Sequence, residues 1–259
     1  MIAARTLRGL GGILVALLLW QAVVGSGLAS FDYLPSPAAI AASIPELVND
    51  RGVVGETLHT LGATLLGWGI AVAIGLSLGA LLGFSSIARA WGLASVELLR
   101  PVPAVALVPA AMLLFGFSIE TELVVIVIPT IWPVLVSTMR GIMAVPDRLE
   151  DVAHVLRLGR VETVVKVLLP AAAPAVLVGC RLGMTTALVL AVVAEMIGNP
   201  EGIGYAVVRE AQALHPDLMF AYVLIAGMLG VLLNAGLVGI ARIILPGVFN
   251  RPSAVESVP

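Results

Sequence analysis

Residues 140–170 read RGIMAVPDRLEDVAHVLRLGRVETVVKVLLP and form the one long charged interval in a very apolar chain. The interval holds nine of the chain's 30 charged side chains, which are 14 Lys and Arg together with 16 Asp and Glu. Apolar blocks long enough to cross a bilayer flank it on both sides. The pattern therefore predicts a membrane protein that presents a folded segment to something soluble.

The sequence within this interval has a helical pattern. Pro146 followed by Asp147 is typical of a helix start, because proline fits the first turn and acids complement the positive end of the helix dipole. Apolar residues then recur at helical spacing on one face. We expect two short helices separated at Gly159, the second of which ends at Pro170. From periodicity alone, both an amphipathic connector on the membrane surface and a docking element for a cytoplasmic partner remain open.

The composition places the rest of the chain in lipid. Of its 259 residues, 60% are hydrophobic and 12% are charged, whereas a typical soluble domain is about 25% charged. The formal net charge of −2 supplies no concentrated basic field for phosphate backbones, so we expect no nucleic-acid partner.

Six apolar segments predict six transmembrane helices, because each provides most of the ~20 residues that cross a bilayer. We place them at 10–28, 57–84, 94–117, 122–140, 171–197 and 218–245, with the charged loop at 144–170 and a polar tail at 250–259. We interpret the first segment as a retained span rather than a cleaved signal peptide, since further apolar segments follow it. The chain is then a single transmembrane domain.

Glycine and proline modify two of these spans. In the second span, three glycines at four-residue intervals predict close packing against a neighbouring helix. These glycines are Gly75, Gly79 and Gly83. In the third span, three prolines predict a kinked helix whose freed carbonyl groups need other partners. These prolines are Pro101, Pro103 and Pro109.

The basic residues orient the spans. Eleven Arg and Lys residues fall on the termini or on the loops after the second and fourth spans, against two on the opposite loops. By the positive-inside rule, both termini and the 144–170 loop are cytoplasmic. Arg181 falls about two turns into the fifth span, where it can reach the interface or pair. We therefore expect no cation at the middle of the membrane.

The sequence contains no nucleotide-binding or catalytic pattern. It has no GxxxxGK[ST] motif and Lys166 is its one lysine, so this chain cannot supply a P-loop. His59, His154 and His215 are scattered, without an HExxH or Cys/His cluster. We therefore expect no metal site, no catalytic residue and no cofactor bound by this chain. If the protein transports a solute, the energy must come from an ion gradient or from a partner.

Few residues within the spans could bind a solute or an ion. A gradient-driven carrier usually keeps carboxylates on its pathway, and Glu195, near the outer end of the fifth span, is the one candidate. An acid at a helix end, level with the lipid headgroups, explains it equally well. Other candidates for a translocation path are hydroxyl and aromatic residues, which more often serve helix packing. They are Thr130, Trp132, Ser137, Thr185 and Thr186.

Short motifs along most of the chain resemble one family, the membrane permease subunits of bacterial ABC importers, in particular the nitrate, sulfonate and taurine group. They are LPSP at 34–37, LRPVP at 99–103, LVP at 107–109, FG at 115–116, VAEM at 193–196 and GIGY at 202–205. The central signature of that family is a cytoplasmic loop motif, E-A-A-x3-G-x9-I-x-L-P.

The spacing of this loop motif fits the chain from position 151 to position 170. Three positions match the family residue and three carry similar replacements. The matches are Ala153, Leu169 and Pro170, and the replacements are Asp151, Val152 and Val167. The family's glycine position is occupied by Arg157, and the nearest glycine, Gly159, is two positions on. An arginine in place of this glycine affects how the loop would dock on a partner protein.

The resemblance implies a fold and a set of functional residues. The fold would be an all-α membrane protein of the type I importer class, with six transmembrane helices and cytoplasmic coupling helices. The residues that contact the ATPase would then lie in the loop motif. They are Asp151, Ala153, His154, Arg157, Gly159, Leu169 and Pro170.

The resemblance also implies a function in the bacterial inner membrane. Two permease subunits, identical or not, would line a path, and a cytoplasmic ATPase dimer would bind ATP and Mg. An extracytoplasmic binding protein would deliver a small solute such as a sulfonate, taurine, nitrate or bicarbonate. Two other classes stay open: a gradient-driven carrier that depends on Glu195 or another acid, and a structural membrane subunit that moves no solute.

Overall fold

The computed structural model describes residues 2–26, 33–50 and 52–244. Every secondary-structure element within these ranges is helical, which confirms the predicted all-α class. The predicted tail at 250–259 and the last two residues of the first predicted span lie outside the described residues.

Eleven α-helices follow one another in the described ranges. They are α1 (Ile2–Gly25), α2 (Pro37–Asp50), α3 (Val53–Phe84), α4 (Ser86–Leu99), α5 (Leu107–Phe115), α6 (Ile119–Met143), α7 (Asp147–Val155), α8 (Arg160–Thr163), α9 (Leu169–Gly198), α10 (Gly202–Gln212) and α11 (Pro216–Ile244). A 3₁₀ turn at Ala104–Ala106 precedes α5, and a π-helical segment at Val164–Leu168 joins α8 to α9.

Within the described residues, four helices are long and apolar enough to cross a membrane: α3, α6, α11 and the continuous helix Val161–Gly198 that contains α9. Helices α3 and α6 correspond to the second and fourth predicted spans, and α9 and α11 correspond to the fifth and sixth. The apolar part of α1, Gly11–Gly25, is shorter than a full span within the described residues.

The third predicted span, 94–117, is not one continuous helix. In its place, α4 and the segment Ala104–Phe115 meet at an angle of 73°. Pro101 and Pro103 interrupt the chain here, because proline lacks the N–H that a helix requires and disfavours helical backbone at the residue before it. The pair can count as one broken span, which gives four or five apolar spans in the described ranges.

The centre of the molecule is a bundle of α3, α6 and α9. The predicted glycine stripe on α3 is confirmed as a packing surface. A Cβ atom on Gly75 would lie 2.8 Å from the Cβ of Val134, and one on Gly79 would lie 2.7 Å from the carbonyl oxygen of Leu135. Any larger residue would push α3 away from α6, so the stripe sets the spacing of these two helices.

The charged loop differs from its prediction at one end. Gly159 lies in the connection between α7 and α8, but Pro170 does not end a helix, because α8 continues through the π-helical segment into α9. The Leu169 N–H donates to the carbonyl oxygen of Val164, five residues earlier. This wider turn places Pro170 in the first turn of α9, where its missing N–H costs no hydrogen bond.

Candidate functional site

A cavity of about 540 Å³ lies between α9 and α11. Its polar lining comes from Arg181, Thr185 and Asn234, and most of the remaining lining is apolar. Arg181 Nε donates a hydrogen bond of 3.0 Å to Asn234 Oδ1. The Thr185 hydroxyl donates to the carbonyl oxygen of Arg181 over 3.3 Å. The cavity therefore combines one fixed guanidinium group with an apolar wall.

Arg181 lies close to the middle of its helix. It follows the start of α9 at Leu169 by twelve residues, which corresponds to about 18 Å along the helix axis. Arg181 therefore lies more than three turns into α9, deeper than the predicted two turns. Asn234 holds Nε, and within the described residues no acceptor lies within hydrogen-bond distance of the two terminal nitrogens of Arg181. These nitrogens can act as donors to a ligand in the cavity.

The structure brings one of the predicted path residues to this cavity. Thr185 lines it, whereas Thr186 is half-buried and donates to the carbonyl oxygen of Leu182 over 2.9 Å. The remaining three lie at helix contacts within the bundle. Thr130 is fully buried, Ser137 packs against a glycine of α9, and Trp132 packs in an apolar cluster formed mainly by α4 and α6. Their part in transport stays a prediction.

A buried polar cluster lies at the end of the bundle remote from the charged loop. His59 of α3, Glu122 of α6 and Glu195 of α9 meet there, with Glu122 fully buried and Glu195 only 1% exposed. His59 Nε2 lies 3.0 Å from Glu122 Oε1, and its Nδ1 lies 2.9 Å from Glu201 Oε2. Three spans are thus joined through charged side chains rather than through apolar contacts alone.

Two hydrogen bonds hold Glu195 in this cluster. Its Oε2 accepts hydrogen bonds from the Gly204 N–H, at 2.8 Å, and from the Thr60 hydroxyl, at 3.0 Å. A Cβ on either Gly202 or Gly204 would overlap Glu195. The two glycines therefore let the start of α10 wrap closely around the acid, which is the physical reason for a GIG sequence shortly after VAE. Sequence reasoning did not connect these two motifs.

The sequence interpretation also missed His59 and Glu122. In the sequence His59 is one of three scattered histidines, yet in the structure it lies between two acids. Asn199 completes the contact, since its Nδ2 donates to Glu122 Oε1. A polar signal exists at each site, because His59 and Glu122 each interrupt the apolar start of a span.

A second ionic network lies beside α10. Arg209 forms ion pairs with Glu56 at 2.7 Å and with Glu210 at 3.0 Å, and its Nη2 lies 3.3 Å from the Tyr222 hydroxyl. Burial acts to lower the pKa of Arg209, but hydrogen bonds to Glu56 and Glu210 outweigh it and raise the pKa above the ordinary value. Arg209 is therefore a permanent cation that ties α10 to α3 and α11.

At the opposite end, the charged loop contains a residue in the left-handed conformation, which glycine adopts most readily. Arg157, which stands at the motif's glycine position, has φ +52°. The Arg157 N–H donates to the carbonyl oxygen of His154 and the Leu158 N–H to that of Ala153, each over 3.0 Å. These two bonds define a Schellman turn, in which glycine is the usual residue at this position. Arginine therefore occupies a left-handed conformation that glycine would adopt without strain.

The loop and the start of the helix that follows it expose apolar side chains. Val155 is 83%, Leu156 63% and Val161 76% exposed, while Ala153 is buried. The other predicted coupling residues lie on the exposed surface of the same segment. They are Asp151, His154, Arg157, Gly159, Leu169 and Pro170. An apolar face of this kind, next to charged residues, is typical of a surface that another molecule covers.

Comparison with known proteins gives consistent matches. Residues 71–250 match the family described as binding-protein-dependent transport system inner membrane component. The aliphatic sulfonates transport permease protein SsuC of Bacillus subtilis is 32% identical over 221 residues, 85% of this chain and 80% of that protein. The bicarbonate transport system permease protein CmpB of Synechocystis sp. is 28% identical over 249 residues, 91% and 88% of the two chains.

One further relative is also a transport permease, and one solved structure has a similar fold. The taurine transport system permease protein TauC of Escherichia coli is 27% identical over 242 residues, 92% of this chain and 88% of that protein. Among solved structures, an inward-facing MetNI methionine ABC transporter gives a TM-score of 0.62 at 19% identity, with 80% of this chain and 98% of that chain covered. The structural match concerns the fold alone.

Proposed function

This chain belongs to the family of binding-protein-dependent transport system inner membrane components, and we propose that it is the permease subunit of an ATP-driven importer of a small anion. A second permease subunit would complete the path across the inner membrane. An ATPase dimer, which carries ATP and Mg, and an extracytoplasmic binding protein would complete the importer. The relatives named for sulfonates and bicarbonate support a substrate of this charge.

The observation that carries the substrate class is the position of Arg181. A guanidinium group presents parallel N–H donors that match the oxygen atoms of a carboxylate, sulfonate or carbonate. Asn234 fixes Nε of Arg181 and leaves the terminal nitrogens toward a cavity of about 540 Å³. A charge this far from the ends of a span is costly unless it serves a pathway.

We propose a topology of six crossings. In it, α1 forms the first crossing and the broken pair of α4 and α5 forms the third. The positive-inside rule then places both termini and the charged loop in the cytoplasm. The buried polar cluster lies at the extracytoplasmic end, near the surface that receives a binding protein.

The charged loop would couple the permease to its ATPase. Helix α7 is short, and its exposed apolar side chains, Val155 and Leu156, offer a surface for a cleft on a partner. Because α8 continues without interruption into α9, a push on the loop acts directly on the helix that carries Arg181. Rigid-body motion of one helix is a common device for opening and closing a path.

Reconstitution tests this proposal. The permease would be purified from its native membrane with its associated proteins, identified by mass spectrometry and placed in proteoliposomes. We expect a P-loop ATPase in the complex and uptake of labelled sulfonate or bicarbonate that requires ATP. Uptake that continues without ATP and follows an ion gradient would instead support a carrier of the gradient-driven class.

A further inference from the structure

The buried cluster at the end of α3, α6 and α9 has the donor atoms of a metal site. A nitrogen of His59 and one carboxylate oxygen each of Glu122 and Glu195 all lie within 4.8 Å of one another. We propose that these three side chains bind one first-row divalent cation of the Zn²⁺ or Mn²⁺ class. The donor set suits such ions, because imidazole and carboxylate are both among their usual ligands.

The two acids provide an independent reason for a ligand. Glu122 Oε2 and Glu195 Oε1 are buried and have no hydrogen-bond partner among the described residues. A buried carboxylate oxygen without a partner is unfavourable, since its hydration is lost and nothing replaces it. A cation between the two acids would satisfy both oxygens at once.

His59 is oriented as a metal-binding histidine. Its Nδ1 lies 2.9 Å from Glu201 Oε2, while Nε2 points toward Glu122. Metal-ligating histidines commonly donate their second ring N–H to a carboxylate, which fixes the ring and strengthens the ligand nitrogen. Asn199 Nδ2 also lies 3.2 Å from Nε2. A cation bound at Nε2 would take the place of these contacts, and any proton on Nε2 would be released to solvent.

The charge balance also favours a cation. Two buried carboxylates, those of Glu122 and Glu195, lie close to one imidazole, whereas the third nearby acid, Glu201, is 67% exposed. The nearby cation Arg209 is engaged by Glu56 and Glu210. The described residues thus provide no cation other than a protonated His59 to balance the two buried acids, and an uncompensated buried charge is costly.

The distances require a small contraction. Two atoms bound to one Zn²⁺ at about 2.1 Å lie at most about 4.2 Å apart. Side-chain movements of less than about 1 Å would bring the three ligand atoms from the present spread to that range. A cavity of about 380 Å³ that Glu195 and Asn199 help to line offers access and space for a water as fourth ligand. A bound cation would fasten three helices at one end of the bundle.

Metal titration of the purified protein tests the site without reference to transport. The protein, purified through a tag without histidines, would be stripped with a chelator and titrated with Zn²⁺, and bound metal would be counted by elemental analysis. We expect one Zn²⁺ per chain. His59→Gln and Glu195→Gln should each raise the Kd at least tenfold, and Glu201→Gln about tenfold through its effect on His59.

The matched control is His215→Gln. His215 lies 3.2 Å from Glu210 and outside the cluster, so this variant should bind Zn²⁺ as the wild type does. Zn²⁺ should also raise the Tm of the wild type and of His215→Gln, but not that of Glu195→Gln, since a ligand stabilises the state that binds it. Equal zinc binding by all variants, or none by a monodisperse wild type, would overturn the proposal whatever the protein transports.

Discussion

The two ends of the helix bundle are built in opposite ways. At one end, His59, Glu122 and Glu195 from three spans meet in a buried cluster. At the other end, α7 buries Ala153 and leaves Val155 83% exposed. The first end is closed by contacts within the chain, whereas the second leaves apolar side chains exposed. The difference predicts that the first end holds its shape and that the second end binds a partner.

The largest effect should follow from enlarging a residue at the closed end. A Cβ on Gly204 would overlap both the carbonyl group of Val192 and the side chain of Glu195. We expect Gly204→Ala to lower the free energy of unfolding by about 3 kcal/mol, because neither the backbone nor the acid can move aside. Thermal unfolding of the solubilised protein measures the loss. Gly62→Ala is the control, since no atom lies within 4 Å of its added Cβ, and equal effects of the two changes would contradict the closed structure.

At the end that carries the charged loop, we expect substitutions to weaken binding of a partner without affecting the fold. Val155→Asp combined with Leu156→Asp should reduce retention of the ATPase at least tenfold, as expected when apolar anchors of an interface become charged. The Tm of the permease alone should stay unchanged, because both side chains are exposed. Leu214→Asp is a matched control at the closed end, where a leucine is 65% exposed, and it should retain the ATPase. Loss of the ATPase in both variants would mean that the two ends do not differ in this way.

Arg181 lies between the two ends, and its substitution should leave both ends intact. Arg181→Gln should raise the KM for the anion about tenfold or more, because the fork of N–H donors is lost. Arg181→Lys should recover part of the affinity, since the charge remains without the paired geometry. ATP-dependent uptake in proteoliposomes measures the effect, with ATPase retention as the control. Unchanged KM values in both variants would remove Arg181 from the path.

Sequence reasoning succeeded where the signal is local. Gly75 and Gly79 recur along one helix face, so their role in packing could be predicted from spacing alone. The start of the fifth span could not be predicted in the same way, because Pro170 is typical of a helix end. The π-helical turn before that proline lets the helix continue, and the sequence carries no recognisable sign of such a turn.

The polar cluster was beyond prediction for a different reason. His59 and Glu122 are 63 residues apart in the chain, and Thr60 and Glu195 are 135 apart. Such pairs meet only through the packing of separate spans, which no periodicity within one helix encodes. Glu195 was singled out because an acid within a span is rare, but its partners required the three-dimensional fold.

The smallest expected effects concern one type of turn that occurs at both ends of the bundle. Arg157 and Leu214 have φ +52° and +58° and follow α7 and α10 respectively. Each lies in a Schellman turn, since the Leu158 N–H donates to Ala153 and the His215 N–H to Glu210, both over 3.0 Å. The left-handed conformation costs a side-chain-bearing residue about 1 kcal/mol, which glycine avoids.

Glycine should therefore stabilise both turns by about 1 kcal/mol, but the readouts should differ. Leu214→Gly should raise the Tm, because α10 packs into the closed end and its turn unfolds with the bundle. Arg157→Gly should leave the Tm unchanged and slow hydrogen exchange of the Leu158 amide about fivefold, because α7 can open locally while the bundle stays folded. A rise in Tm for Arg157→Gly equal to that for Leu214→Gly would show that the loop unfolds together with the spans. The loop would then be a rigid extension of α9 even before a partner binds.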